Sequence, residues 1–220
     1  MNWMDKLERK YGRFYIEGLM LYITATMLCI YIMDNFLPLS ITISDWICLS
    51  MPKVLQGQVW RLITFIFLPP ASSPLFVLFV LYFYYFIGTS LEEVWGSFRF
   101  NLYYLFGIIG TMIAGVITGY GDNMYLNLSL FLAFAQLFPE HQVLLFFFIP
   151  IKIKYLAYLD WALFAWSLIV GSWSVRAAIV ASLLNFFLFF GPDMFRQIKN
   201  KGKYRSVQRN WRKQMKQNRN

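Results

Sequence analysis

Residues 88–100 read Gly88-Thr89-Ser90-Leu91-Glu92-Glu93-Val94-Trp95-Gly96-Ser97-Phe98-Arg99-Phe100, a polar seam between two long apolar runs. Residues 75–95 lead into the seam and residues 100–119 lead out of it. Each run is about 20 residues, the length at which a helix rising 1.5 Å per residue crosses a hydrocarbon core of about 30 Å. Working outward from the seam, apolar runs bounded by charge, Pro or Gly recur at 18–37, 124–138, 155–172 and 175–191. The expectation is an all-α membrane protein, a bundle of six transmembrane helices over residues 18–191.

Composition agrees. Of 220 residues, 59% are hydrophobic and 20% aromatic, and only 14% are charged, against about a quarter in ordinary soluble domains. Between Gly18 and Ser50 the only residues charged at neutral pH are Asp34 and Asp45. The first seventeen residues mix Lys6, Arg9, Lys10 and Arg13 with Asp5, Glu8 and Glu17, and the following run is long enough to span. We therefore expect an uncleaved anchor and no removable signal peptide. Two separate cysteines, Cys29 and Cys48, make neither a disulfide framework nor a metal site, and no cofactor is expected.

Two connections are unusual. Residues 38–74 are too apolar and aromatic for a solvated loop (Trp46, Trp60, Phe65, Phe67) and should lie at the interface. Residues 143–151 end in Lys152 and Lys154 and contain Pro150, too short a run to cross, so they too should be interfacial. The fourth span is short, about 22 Å of helix. It either begins part-way into the bilayer or sits in thinned lipid, and both options need neighbouring helices to cover the backbone before it.

Basic residues set the expected orientation. With the N-terminus in the cytoplasm, that side collects Lys6, Arg9, Lys10, Arg13, Arg99, Lys152, Lys154 and the C-terminal tail, and the other side only Lys53, Arg61 and Arg176. Both termini, residues 1–17 and 192–220, are then cytoplasmic. From Asp193 onward the tail carries ten Lys or Arg and one acid, +9 in all, as much as the whole chain. Residues 196–219 read as an anchor attracted to anionic lipid headgroups. Docking of an acidic partner or ribosomal RNA is the sharper alternative, though nucleic acid is not favoured. In the third span Gly107, Thr111, Gly115 and Gly119 recur every four residues, which predicts close packing and makes this the expected central, most enclosed helix.

The segment Gln58-Val59-Trp60-Arg61-Leu62-Ile63-Thr64-Phe65 resembles the Trp-Arg loop of the rhomboid superfamily, and residues 88–100 resemble that family's junction of second and third helices. The short fourth helix, then Leu-Phe-Pro at 137–139 and Ile-Pro-Ile-Lys at 149–152, is also similar, so the likeness covers most of residues 56–191. It implies a rhomboid-like bundle. On physical grounds Trp60 suits the headgroup zone as a wedge, or as an ordinary interfacial anchor, and Arg61 can hold backbone carbonyls or lipid phosphates beside it. Glu92 near a helix end needs a partner and reads as a structural tie, with Gly96 and Arg99 completing the junction.

A rhomboid protease needs a serine in Gly-x-Ser-Gly opening the fourth helix and a histidine in the sixth, since serine attacks only when a base takes its proton. Here the fourth helix opens Asp122-Asn123-Met124-Tyr125-Leu126-Asn127, and Ser129 lies a turn deeper without a flanking glycine. Ser182 stands where the histidine should be and Asn185 where a small residue should be. The sole histidine, His141, follows Pro139 beyond the other end of the fourth helix. The resemblance therefore implies a derlin-like pseudoprotease that binds membrane-protein clients and perturbs the bilayer in quality control or trafficking. A membrane protease or cytosolic unfoldase would be its partner, although the tail lacks an unfoldase-recruiting motif. Asn127, Ser129, Ser182 and Asn185 could receive a client's polar groups, or simply hydrogen-bond between helices. The alternatives are an active serine protease with unconventional residues and a small transporter, for which Asp160 is the main intramembrane charge. Asn/Lys/Phe-rich usage and the missing signal peptide favour a bacterial inner membrane over the endoplasmic reticulum.

Overall fold

The computed structural model describes residues 3–37, 42–71, 73–145 and 149–191. The expected tail site at 196–219 lies outside them. Five described helices are long and apolar enough to cross a membrane: α2 (Leu19–Phe36), α6 (Pro74–Trp95), α7 (Ser97–Thr118), α9 (Ile153–Val170) and α10 (Trp173–Gly191). A sixth, α8 (Met124–Leu137), has 14 residues. All six lie within three residues of the boundaries read from sequence, because in lipid a polar residue marks where hydrocarbon stops. An amphipathic helix, α1 (Trp3–Tyr11), precedes the bundle.

Successive spans alternate direction. The N-terminal segment, the α6–α7 turn and the start of α9 share one face of the bundle (the N-face), and the long loop and the α7–α8 turn share the other (the loop face). Gly96, alone between α6 and α7, makes the tight reversal with φ 80° and ψ 153°, a region open essentially to glycine. Thr24, Thr26 and Thr111 return their hydroxyls to carbonyls one turn back, at 2.7–3.0 Å, so they present no unpaired polar group.

The most enclosed helix is α8 and not α7, as the glycine stripe had suggested. In α8 nine of 14 residues are buried, including Phe131, Leu132, Ala133 and Phe134. Seven of 22 are buried in α7, whose Leu105, Ile109, Ile113, Val116 and Ile117 face outward. The stripe marks one packed face only. Gly107 meets Leu126 of α8, and Gly110 lies against Ala181 of α10. Helices α6, α7 and α9 pack against the short span and supply the cover that its backbone needs.

The long loop is a compact unit with three short helices, α3 (Ile43–Ile47), α4 (Met51–Leu55) and α5 (Arg61–Thr64), and a 3-10 turn at Phe65–Phe67. Strand β1 (Leu49–Ser50) pairs antiparallel with β2 (Tyr120–Gly121), stitching the loop to the α7–α8 turn. Residues 142–152 differ from a plain interfacial run: β3 (Gln142–Leu145) and β4 (Ile149–Lys152) form an antiparallel hairpin with Gln142 opposite Lys152. Pro150, lacking a donor, is tolerated because a two-stranded hairpin has only edge strands.

Candidate functional site

Arg61 organises the loop. It is 2% exposed, and its Nη1 donates to the carbonyls of Asp45 (2.8 Å) and Cys48 (2.9 Å) while Nε donates to Gln58 Oε1 (2.7 Å). A guanidinium fork suits this task, gathering the last carbonyls of α3 and the α5 entry into one buried knot. Of the two roles open to Arg61, this is the carbonyl one. Buried so deeply, it does not present itself to lipid phosphate.

Around that knot the apolar side chains point outward. Trp46 and Trp60 stack at 6.3 Å between ring centres, 16° from parallel, and Trp60 Nε1 donates to Trp46 O at 3.3 Å. Both are exposed, as are Leu55, Val59 and Ile63. The outward set is five apolar side chains over a platform whose polar groups are satisfied from within.

The platform is anchored from three directions. Asp34, near the end of α2, accepts from Ile43 N (2.6 Å), Ser44 N (3.0 Å) and Ser44 Oγ (2.5 Å), capping the first turn of α3. Asn123 Nδ2 donates to Ile66 O and Leu68 O, both at 3.0 Å. Leu49, fully buried, fills the space that Gly115 and Gly121 leave; a Cβ at either would sit 2.6 or 2.8 Å from Leu49 Cδ2. Gly119, with φ 87°, accepts from Met51 N at 2.9 Å and closes the junction. Burial raises the Asp122 carboxyl above the usual carboxylate range, partly opposed by the hydrogen bond that Oδ1 accepts from Met124 N.

On the N-face, Glu92 Oε1 accepts from Gly18 N at 3.0 Å, tying the end of α6 to the start of α2, and Glu93 is exposed. Arg99 pairs with Glu8 at 2.8 Å. Gly96, Gly107, Gly115 and Gly119 thus serve turns or close approaches.

The four polar residues considered for client contact are all buried, at 0–3% exposure. Tyr103 brings two of them together: its hydroxyl donates to Ser129 O (3.0 Å) and Ser129 Oγ (3.2 Å), and its carbonyl accepts from Asn185 Nδ2 (3.2 Å). Ser129 Oγ donates to Leu126 O at 2.9 Å. Asn127 Oδ1 and Asn185 Oδ1 have no hydrogen-bond partner among the described residues. In this arrangement none of Asn127, Ser129, Ser182 and Asn185 is on a lipid-facing surface, because a hydroxyl or amide in hydrocarbon is best satisfied against a neighbouring helix. His141 lies elsewhere, its ring against Phe86 (5.4 Å) and Phe134 (6.0 Å).

A family model described as eukaryotic integral membrane protein (DUF1751) matches residues 19–190. The chain belongs to that family. No curated protein matches it in sequence. The match runs from the first residue of α2 to the penultimate residue of α10, so the family is defined over the whole bundle. It establishes an integral, multi-pass membrane protein. Its eukaryotic description gives no support to the bacterial inner membrane expected above. That expectation leaned on residue usage, which reflects coding bias more than the identity of a bilayer.

Sequence reasoning missed Asn123, Asp34, Gln58 and Tyr103 as structural anchors. Asn123 was visible in principle as an N-cap type before an apolar run. Tyr103 carried no local signal, since its partners are 26 and 82 residues away.

Proposed function

We propose that this protein is a catalytically inactive, rhomboid-like membrane scaffold that holds membrane-protein segments and perturbs the bilayer around them, in quality control or trafficking. One observation carries the reading. A rigid platform cored by Arg61 exposes Trp46, Leu55, Val59, Trp60 and Ile63 on one face of the bundle. Tryptophan prefers the headgroup zone, so a fixed pair there displaces lipid where a flexible loop would yield. The endoplasmic reticulum is the setting of this reading, in keeping with the eukaryotic family description.

The absence of hydrolysis belongs to the same proposal. Ser129 spends its hydroxyl on Leu126 O beside the Tyr103 hydroxyl, and the His141 ring rests on phenylalanines. A serine with no base at hydrogen-bond range has nowhere to send its proton. A fluorophosphonate probe should therefore label neither Ser129 nor Ser182, and labelling of either restores the protease alternative.

The direct test is crosslinking in native membranes with identification of bound proteins, comparing wild type with Trp46→Ala/Trp60→Ala and a tail-deleted form. The expected outcome is capture of membrane-protein segments by wild type, reduced in the double variant, with slower turnover of an unstable membrane protein when the gene is deleted. Turnover unchanged across the membrane proteome would defeat the proposal.

One observation favours transport as a second reading. Asp160, 4% exposed within α9, has both carboxyl oxygens without a partner among the described residues. Intramembrane carboxyls of this kind serve proton and ion pathways. Proteoliposome flux that collapses in Asp160→Asn would place transport first.

A further inference from the structure

A groove of about 850 Å³ lies between the N-terminal segment and helices α2 and α7. Leu19 and Ile23 of α2 form one wall, Leu102 and Leu105 of α7 the other, and Phe14 hangs over the mouth. Polar contacts hold the covering strand in place. Asn101 Oδ1 accepts from Ile16 N (3.0 Å) and Asn101 Nδ2 donates to Ile16 O (2.8 Å), while Glu92 holds Gly18 and Arg99 holds Glu8. Residues 12–18 are thus a strap fixed at both ends, and the apolar space beneath it cannot simply be filled by collapse.

Two features select an occupant. The first is length. From Phe98 to Ile108 along α7 the groove descends ten residues, a rise of about 15 Å, or half of a hydrocarbon core of about 30 Å. Ile66, entering from the loop on the opposite face, closes the inner end. A transmembrane helix needs the full thickness, whereas an acyl chain of one leaflet needs half. The second is charge. Arg13 at the mouth is exposed and makes no ion pair among the described residues, and Arg9 and Lys10 of α1 lie just before it.

We propose that this groove binds one anionic phospholipid of the N-face leaflet, an acyl chain beneath the strap and the headgroup phosphate on Arg13. The site is separate from the tryptophan platform, which lies on the opposite face.

Native mass spectrometry of the full-length protein, titrated with phosphatidylglycerol or with phosphatidylcholine of the same chains, tests it. The first lipid retained should be phosphatidylglycerol, by about fivefold, the preference one basic residue confers at an anionic headgroup. Arg13→Gln should bring phosphatidylglycerol down to the level of phosphatidylcholine and leave the latter unchanged. Leu105→Trp, which fills the groove, should reduce both. Lys152→Gln, basic on the same face but outside the groove, should change neither, and the basic tail is common to every form. If Leu105→Trp fails to fold, Phe14→Ala removes only an exposed cover and should also weaken retention. The proposal is overturned if Arg13→Gln keeps the preference, if Lys152→Gln abolishes it equally, or if neither Leu105→Trp nor Phe14→Ala lowers retention.

Discussion

At the scale of single residues, Arg61 shows how a charge becomes structural in a membrane protein. Its side chain is buried, and its Nη1 serves the carbonyls of both Asp45 and Cys48. Hydrogen bonds to a charged group contribute about 1.5–3 kcal/mol each, and a buried acceptor left alone keeps its desolvation cost. Arg61→Gln should therefore lower the melting temperature in detergent, with loop tryptophan fluorescence changing before the bundle unfolds. Arg61→Lys should recover part of the loss, since an ammonium carries charge but lacks the planar fork. Identical melting of wild type and Arg61→Gln would show that the platform has another core.

Two glycines illustrate, at the element scale, different physics behind similar losses. A Cβ at Gly88 would sit 2.4–2.5 Å from Cγ and Cβ of the buried Met20, so Gly88→Ala forces α6 away from α2, an overpacking cost of about 1–3 kcal/mol. At Gly96 there is open space, but its dihedral angles exclude a side chain at a similar cost of about 1–3 kcal/mol. Thermal unfolding of double variants separates them: Gly88→Ala should cost less in a Met20→Gly background, where both crowded atoms are gone, whereas Gly96→Ala should cost the same in either background. The β3–β4 hairpin offers a pH-dependent element. Hydrogen bonds from Lys152 and then Lys154 hold the Glu140 carboxyl down to about 2, below its ordinary 4.5. A lowered folded value means the tie is intact above about pH 4.5 and is lost as pH falls from there through about 2. Amide exchange at Val143 and Ile151 should be flat from neutral pH to 5, after correction for intrinsic rates, and rise below 4. Glu140→Gln should show the loosened rate already at neutral pH.

For the whole molecule, the faces differ in charge. The N-face carries Arg9, Lys10, Arg13, Arg99, Lys152 and Lys154, and the loop face Lys53, Arg61 and Arg176. The positive-inside rule predicts from this difference that the N-face is cytoplasmic. In a Cys29→Ser/Cys48→Ser background, an impermeant maleimide should label Leu55→Cys from the non-cytoplasmic side and Arg9→Cys only after permeabilisation. The reverse pattern would invert the orientation and move the tryptophan platform to the cytoplasmic leaflet. The membrane class, the six bundle helices and their boundaries were legible in the linear chain, because the bilayer imposes a local test, apolar length, which five of the six pass alone. The turn at Gly96 and the tie at Glu92 were legible too, as a glycine and a carboxylate at the end of an apolar run. The enclosure of α8, the Arg61 knot and the burial of Asn127, Ser129, Ser182 and Asn185 were not. Each depends on which faces of distant helices meet, and a periodic stripe such as Gly107 to Gly119 reports that a face is packed without reporting which helix ends up surrounded. Enclosure is a property of neighbours, so it came into view with the assembled bundle.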